Sequence, residues 1–159
     1  MVGEILEERA ISLGYTNNTE WKRLQIERFG TALTNAFQIL ADRFSDNFKL
    51  TIEEYDSTVE NIYALLASCR SEKVPIYEVE WQPMREIFIF WNIYVNPDYR
   101  GKGIGTTVNE LTQDMALGLG AKRLIIQDII PGNLEFWSNR DGYECYGSKF
   151  YGMASRLLE

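Results

Sequence analysis

The chain has 159 residues, 45% of them apolar and 25% charged, with a formal net charge of −7. Those values suit a globular chain that buries its own core, expected as one domain over residues 1–159. The acidic balance argues against general nucleic-acid binding, and the absence of histidine excludes a Ser-His-Asp triad and any histidine-ligated metal.

Residues 4–13 predict a short first helix. Ile26, Phe29, Leu33, Phe37, Leu40 and Phe44 then recur at steps of three and four. That period predicts an amphipathic helix over 20–44, with Asn17 and Glu20 as its cap. Gly30 inside it costs about 1 kcal/mol relative to alanine and allows a break there. Phe48, Leu50 and Ile52 alternate with polar residues, as a strand does. Ser57 and Glu60 repeat the capping pattern, and Val59, Ile62, Leu65, Leu66 and Cys69 mark a helix face running to about Glu72. Tyr77, Val79 and Trp81 give another strand, and Pro83 a turn.

Residues 87–95 are nearly all apolar, the composition of a central strand buried on both faces. Ile104, Val108, Leu111, Met115 and Leu119 form a helix stripe that Gly118 and Gly120 end. Residues 124–130 are a second buried strand, so a strand, a helix and a strand follow in the order of a parallel pair. A short helix is expected over 133–140; Gly142 leads into 143–146, and 151–158 is a final strand. The sum is an α/β domain with a mixed sheet and a helical N-terminal extension over 1–46.

Between the central strand and its helix lies Val95-Asn96-Pro97-Asp98-Tyr99-Arg100-Gly101-Lys102-Gly103-Ile104-Gly105. Glycines let backbone N–H groups approach a ligand without Cβ interference. A helix start adds unpaired N–H groups and roughly half a positive charge. With Arg100 and Lys102 beside them, these groups make a diphosphate cradle. A glycine-rich turn alone marks no more than a tight surface turn; here both flanks and the spacing agree.

The pattern Arg100-x-x-Gly103-x-Gly105, preceded by Val95-x-Pro97-x-Tyr99, resembles the acyl-CoA motif of the GNAT N-acetyltransferase superfamily. The resemblance runs from about Glu86 to the C-terminus. It implies a mixed, mostly antiparallel sheet with helices on both faces, in which the central parallel strand pair splays apart. It also implies acetyl-CoA as cosubstrate, with the pantetheine lying in the splay like a false strand. On matching positions the Ile93 N–H would polarise the thioester carbonyl and the Val95 backbone would hold the pantetheine. The N–H groups of Gly101, Lys102, Gly103, Ile104 and Gly105, with Thr106, would hold the diphosphate. Thr106 is otherwise an ordinary helix residue. Trp91 shares a strand face with Ile89 and Ile93 by simple alternation, and either walls the acceptor pocket or packs in the core.

Amine acylation needs a neutral nucleophile. Freeing a lysine-like amine of pKa near 10.4 at neutral pH costs roughly 4–5 kcal/mol. A carboxylate commonly relays that proton. Several members of the superfamily carry a glutamate on the fourth strand, where this chain has Ile89. Asp128, at the end of the next strand, is the nearest alternative, with Glu86 and Glu80 further back. The tyrosine that protonates the departing thiolate in many relatives matches Ser138 here by counting back from Gly142, or Trp137 by residue likeness. Ser138 could bond to the sulfur.

The expected activity is therefore acetyl transfer from acetyl-CoA to a primary amine, on a small molecule or a protein lysine, by direct attack in a ternary complex. Two readings compete. A silent CoA-binding or protein-interaction module would keep the cradle and lack turnover. A nicotinamide dinucleotide enzyme would use the same glycines, but neither GxG is completed by a third glycine or alanine, and only about thirty residues follow Asp128. Cys69 and Cys145 are too few for a thiolate zinc site, are expected to be reduced, and sit at no plausible nucleophile position. No metal is expected. No window reaches eighteen apolar residues, and the acidic start lacks an apolar signal region, so no membrane span is expected and the cytoplasm is the expected compartment. A homodimer is compatible with the sequence.

Overall fold

The computed structural model describes residues 18–57, 59–60, 62–129, 144–147 and 152–158. Helix α1 spans Asn18–Phe44. It continues through Gly30 without a break, and the glycine has a packing role. A Cβ there would meet the Ile52 Cδ1 at 3.4 Å, so the helix lies close on the first strand. Trp21, Phe29, Leu33, Phe37 and Leu40 form its buried stripe. Full burial of each such large side chain stabilises by roughly 1.5–3 kcal/mol.

Strands β1 (Phe48–Ser57) and β2 (Ile62–Ser71) form an antiparallel hairpin with ten paired residues. The helix expected over 59–72 is therefore a strand. The run Ile62 to Ala67 is apolar at every position, so it satisfies a helical and an extended period alike. Its place between two strands decides, with Tyr63, Ala64, Leu65, Ala67 and Cys69 all buried. The Ser57–Glu60 pattern is real but local. The Glu60 N–H donates to the Ser57 Oγ at 3.1 Å across the hairpin turn, with no helix behind it.

Strand β3 (Ile76–Gln82) pairs with β2 and with β4 (Ile87–Tyr94), both antiparallel. A 3₁₀ turn at Pro97–Tyr99 leads to α2 (Ile104–Leu119), and β5 (Arg123–Ile129) returns parallel to β4. The short β6 (Glu144–Gly147) and β7 (Gly152–Leu157) complete a seven-stranded sheet in the order β1-β2-β3-β4-β5-β7-β6. The mixed sheet with one central parallel pair is the architecture expected from the sequence. The short helices expected over 4–13 and 133–140, and the Asn17 cap, lie outside the described residues.

Both described helices cover one face. Phe29 packs on Phe88 with ring centroids 6.1 Å apart, and Phe37 on Tyr77 at 4.9 Å. From α2, Thr112 meets the Tyr77 hydroxyl at 2.7 Å and donates to the Val108 carbonyl at 2.7 Å. The register sorts the two faces strand by strand. Leu65, Trp81 and Phe88 share one row under the helices, and Ala67, Val79 and Phe90 the next. The opposite face carries Glu53, Leu66, Glu80 and Ile89 in one row and Thr51, Ser68, Glu78 and Asn92 in another.

Candidate active site

The site begins where two strands part. Parallel pairing of β4 with β5 runs from Ile87–Arg123 to Phe90–Ile126 and stops there. Beyond it, β4 continues to Tyr94 while β5 turns toward β7, with an irregularity between Ile126 and Ile129. The result is a wedge, closed at Glu86, whose carbonyl accepts from the Lys122 N–H at 2.7 Å, and open beyond Phe90.

A second irregularity lies on the other edge of β4. Val79 pairs with Phe90 and Glu78 with Asn92, which leaves Trp91 as an extra residue. Such a bulge re-aims side chains. Ile93 consequently faces Tyr77 and packs against the core, while Trp91 turns to the open face. The face shared by Trp91 and Ile93 in the simple alternation does not exist. The open face forms a groove of about 1160 Å³, bordered by Lys49, Arg70, Glu53, Glu78, Glu80 and Trp91. The Trp91 indole N–H donates to Glu80 Oε1 at 3.2 Å, and the Gln82 amide donates to Glu80 Oε2.

At the end of β4 the chain is tightly bolstered. The Asn96 N–H donates to the Lys73 carbonyl at 2.9 Å, and the Asn96 Oδ1 accepts from the Asp98 N–H at 3.2 Å, fixing the 3₁₀ turn. The Tyr99 hydroxyl donates to Glu72 at 2.9 Å, and that carboxylate raises the phenol's pKa. The amino groups of Lys73 and Lys102 lie 5.0 and 5.5 Å from the Tyr99 ring centre. Arg100 folds back over the Tyr94 ring at 5.1 Å, and its Nε donates to the Val95 carbonyl at 2.9 Å.

The loop then turns through Gly101 at φ 78° and Gly103 at φ 84°, both in the left-handed region that other residues occupy at a cost. Gly103 is the N-cap of α2 and provides no side-chain cap; the first helical bond runs from the Thr107 N–H to its carbonyl at 3.0 Å. A Cβ at Gly101, Gly103 or Gly105 would meet nothing within 4 Å. Space above the loop is thus open, and the helix start faces it. A diphosphate group fits such a place: an uncapped helix N-terminus, an open glycine surface and flanking Arg100 and Lys102.

The predicted cofactor residues Ile93, Val95, Arg100, Gly101, Lys102, Gly103, Ile104, Gly105 and Thr106 therefore fall along one path, from the β4 arm of the wedge to the first turn of α2. The backbone of Asp128 lies on the β5 arm, two residues past the last parallel pair. Ser138 lies outside the described residues. Glu86 sits at the closed end, away from the gap. Cys69 is buried, and desolvation pushes its thiol up to about 12. The feature that sequence reasoning missed is the Glu80–Gln82–Trp91 group. A bulge leaves no signature in one sequence, and reading β2 as a helix hid the open sheet face.

A model of the acetyltransferase (GNAT) family matches residues 61–138. No curated protein matches the chain. Among solved structures, nourseothricin acetyltransferase is 12% identical with a TM-score of 0.46, over 70% of this chain and 86% of that one. An N-acetyltransferase, PaiA, from Thermoplasma acidophilum, solved with coenzyme A, is 14% identical with a TM-score of 0.45, over 64% and 65%. A GNAT-family acetyltransferase from Elizabethkingia anophelis, solved with acetyl-CoA, is 12% identical with a TM-score of 0.44, over 70% and 99%. The family match lies across the wedge and the glycine loop, so residues 61–138 carry the likeness to the GNAT acetyltransferase family.

Proposed function

We propose that this chain acetylates a primary amine by direct attack on acetyl-CoA while both are bound. The observation that carries this reading is the gap between β4 and β5, which opens at Phe90 and Ile126 and leads to the glycine loop. An extended pantetheine chain suits an unpaired strand edge, as an added strand does. Acetyl-CoA supplies an activated acetyl group on a thiolate leaving group.

The chain's own residues do the rest. The amides from Gly101 to Gly105, with Thr106, hold the diphosphate, and Arg100 and Lys102 add charge to the cradle. The Val95 backbone meets the pantetheine, and the Ile93 N–H donates to the thioester oxygen. Backbone donors are fixed before the reaction, so they stabilise a developing oxyanion without reorganising. Trp91 walls the acceptor side, where the groove leaves room for a small amine or a lysine side chain. Ser138 bonds to the departing sulfur. Direct attack is favoured over an acetyl-enzyme because the Cys69 thiol is protonated at neutral pH and buried away from the wedge.

Calorimetry with CoA, followed by a thiol-release assay across spermidine, tyramine, kanamycin and a lysine peptide, tests this. Saturable CoA binding and amine-dependent thiol release are expected. CoA bound without release for any amine would establish a binding module instead, and NADH bound in place of CoA would restore the dinucleotide reading.

A further inference from the structure

We infer that Glu80 is the group that takes the proton from the acceptor amine, acting from β3 across the face of β4. This role rests on the transferase reading above. A carboxylate that removes a substrate proton must stand near the reacting carbon, hold one orientation, keep lone pairs available and be reachable from solvent. Glu80 meets each requirement.

Its position follows from the register. Glu80 pairs with Ile89, one residue to the closed side of the point where β4 and β5 part, and lies on the groove face with Trp91. Its orientation is set by two donors, one to each oxygen: the Trp91 indole and the Gln82 amide. The bulge makes the first of these possible by turning Trp91 onto the groove face. Each carboxylate oxygen accepts more than one hydrogen bond, so both can still receive an ammonium N–H. Glu80 is half-buried on the groove floor, which an acceptor can enter.

Gln82 holds the carboxylate from below the groove. It is 8% exposed, and its Oε1 is buried without a partner. With its amide N–H committed to Glu80, this buried side chain fixes one carboxylate oxygen and leaves the groove side of Glu80 open. Among the other described carboxylates, Glu78 pairs with Asn92, level with the open gap, but it is exposed and no described side chain fixes its orientation, and Glu86 is at the closed end of the wedge.

The step balances as follows. The ammonium gives one proton to Glu80, which passes it to solvent. The freed lone pair forms the C–N bond to the thioester carbon, and the C–S bond breaks. The second proton leaves the new amide nitrogen and ends on the CoA thiolate. One amide, one free thiol and one released proton result.

The test uses the full chain and the amine from the panel with the fastest thiol release. Glu80→Gln should lower kcat/KM at pH 7 by about 10²- to 10³-fold, within the range of general-base effects. The loss should shrink steadily as pH rises toward the amine's own pKa, because a growing share of the amine is already neutral, and Glu80→Asp should recover part of the rate. The acetyl-CoA Kd and the melting temperature should stay near wild type, which separates this role from a failed cradle or a failed fold. An NMR readout is independent of turnover. The Trp91 indole ¹H–¹⁵N peak, assigned with Trp91→Phe, should move on titration with the amine in the wild type and much less in Glu80→Gln. A Glu80→Gln protein within threefold of wild type from pH 6 to 9 would overturn the assignment. So would a pH-dependent loss found in Asp128→Asn and not in Glu80→Gln. No thiol release by the wild type with any amine would overturn the transferase reading and this role with it.

Discussion

Replacing Gly103 by alanine separates what the loop costs the fold from what it does for a ligand. At φ 84° a Cβ costs roughly 1–2 kcal/mol of backbone strain. No contact penalty adds to it, because the new methyl would meet nothing within 4 Å. For a chain of this size each kcal/mol lowers Tm by about 2–4 °C, so Gly103→Ala should melt roughly 2–8 °C below wild type and remain folded. The same methyl stands in the space assigned to the diphosphate. CoA affinity should therefore fall at least tenfold, about 1.4 kcal/mol or more. Gly103→Asn sharpens the comparison. Asparagine tolerates the left-handed region, so much of the melting temperature should return, while its side chain still fills the cradle. Scanning calorimetry reads the first quantity and titration calorimetry with CoA the second. If Gly103→Ala binds CoA within twofold of wild type, the loop amides do not hold the cofactor.

Gly105 lies in the first turn of α2 without a positive φ and with open space around it, so Gly105→Ala should raise stability by about 0.5–1 kcal/mol, visible as a higher Tm. Tyr77→Phe removes the buried bond to Thr112 but leaves Thr112 donating to Val108, so a loss of about 0.5–1.5 kcal/mol in denaturant unfolding is expected. Burial raises the Cys69 thiol from 9.0 to about 12. The folded state favours the protonated form, so the stability it contributes is present in full below pH 9 and declines as pH rises toward 12. A Cys69→Ala variant should lack that decline in melting experiments from pH 9 to 11. In native protein at pH 8, Cys69 should resist thiol reagents and react once the chain is unfolded.

Much of this fold was legible because its strongest signals are local. The long helix, the apolar strand at 87–94 and the stripe of α2 each follow one period, and Gly120 ends α2 in the left-handed conformation that a glycine terminus implies. The glycine loop was legible for the same reason: its strand, turn and helix are contiguous. What escaped depends on partners far along the chain. Residues 62–67 are apolar throughout, and only pairing with β1 and β3 makes them a strand. Trp91 lies where alternation fails, so its true neighbours, Glu80 and Gln82, could not be read from spacing. Glu80 could be named from the sequence as a carboxylate further back from Asp128, but its bond to Trp91 and its place on the groove could not.

Transfer chemistry here depends first on where coenzyme A lies. Titrating CoA into ¹⁵N-labelled protein and following the amides of Gly101, Gly103 and Gly105 together with those of Trp91, Asn92, Ile93 and Tyr94 tests this most directly. A cofactor lying in the wedge with its diphosphate on the loop moves both sets along one saturable curve. Saturable binding that leaves the three glycine amides unmoved would contradict the proposed site.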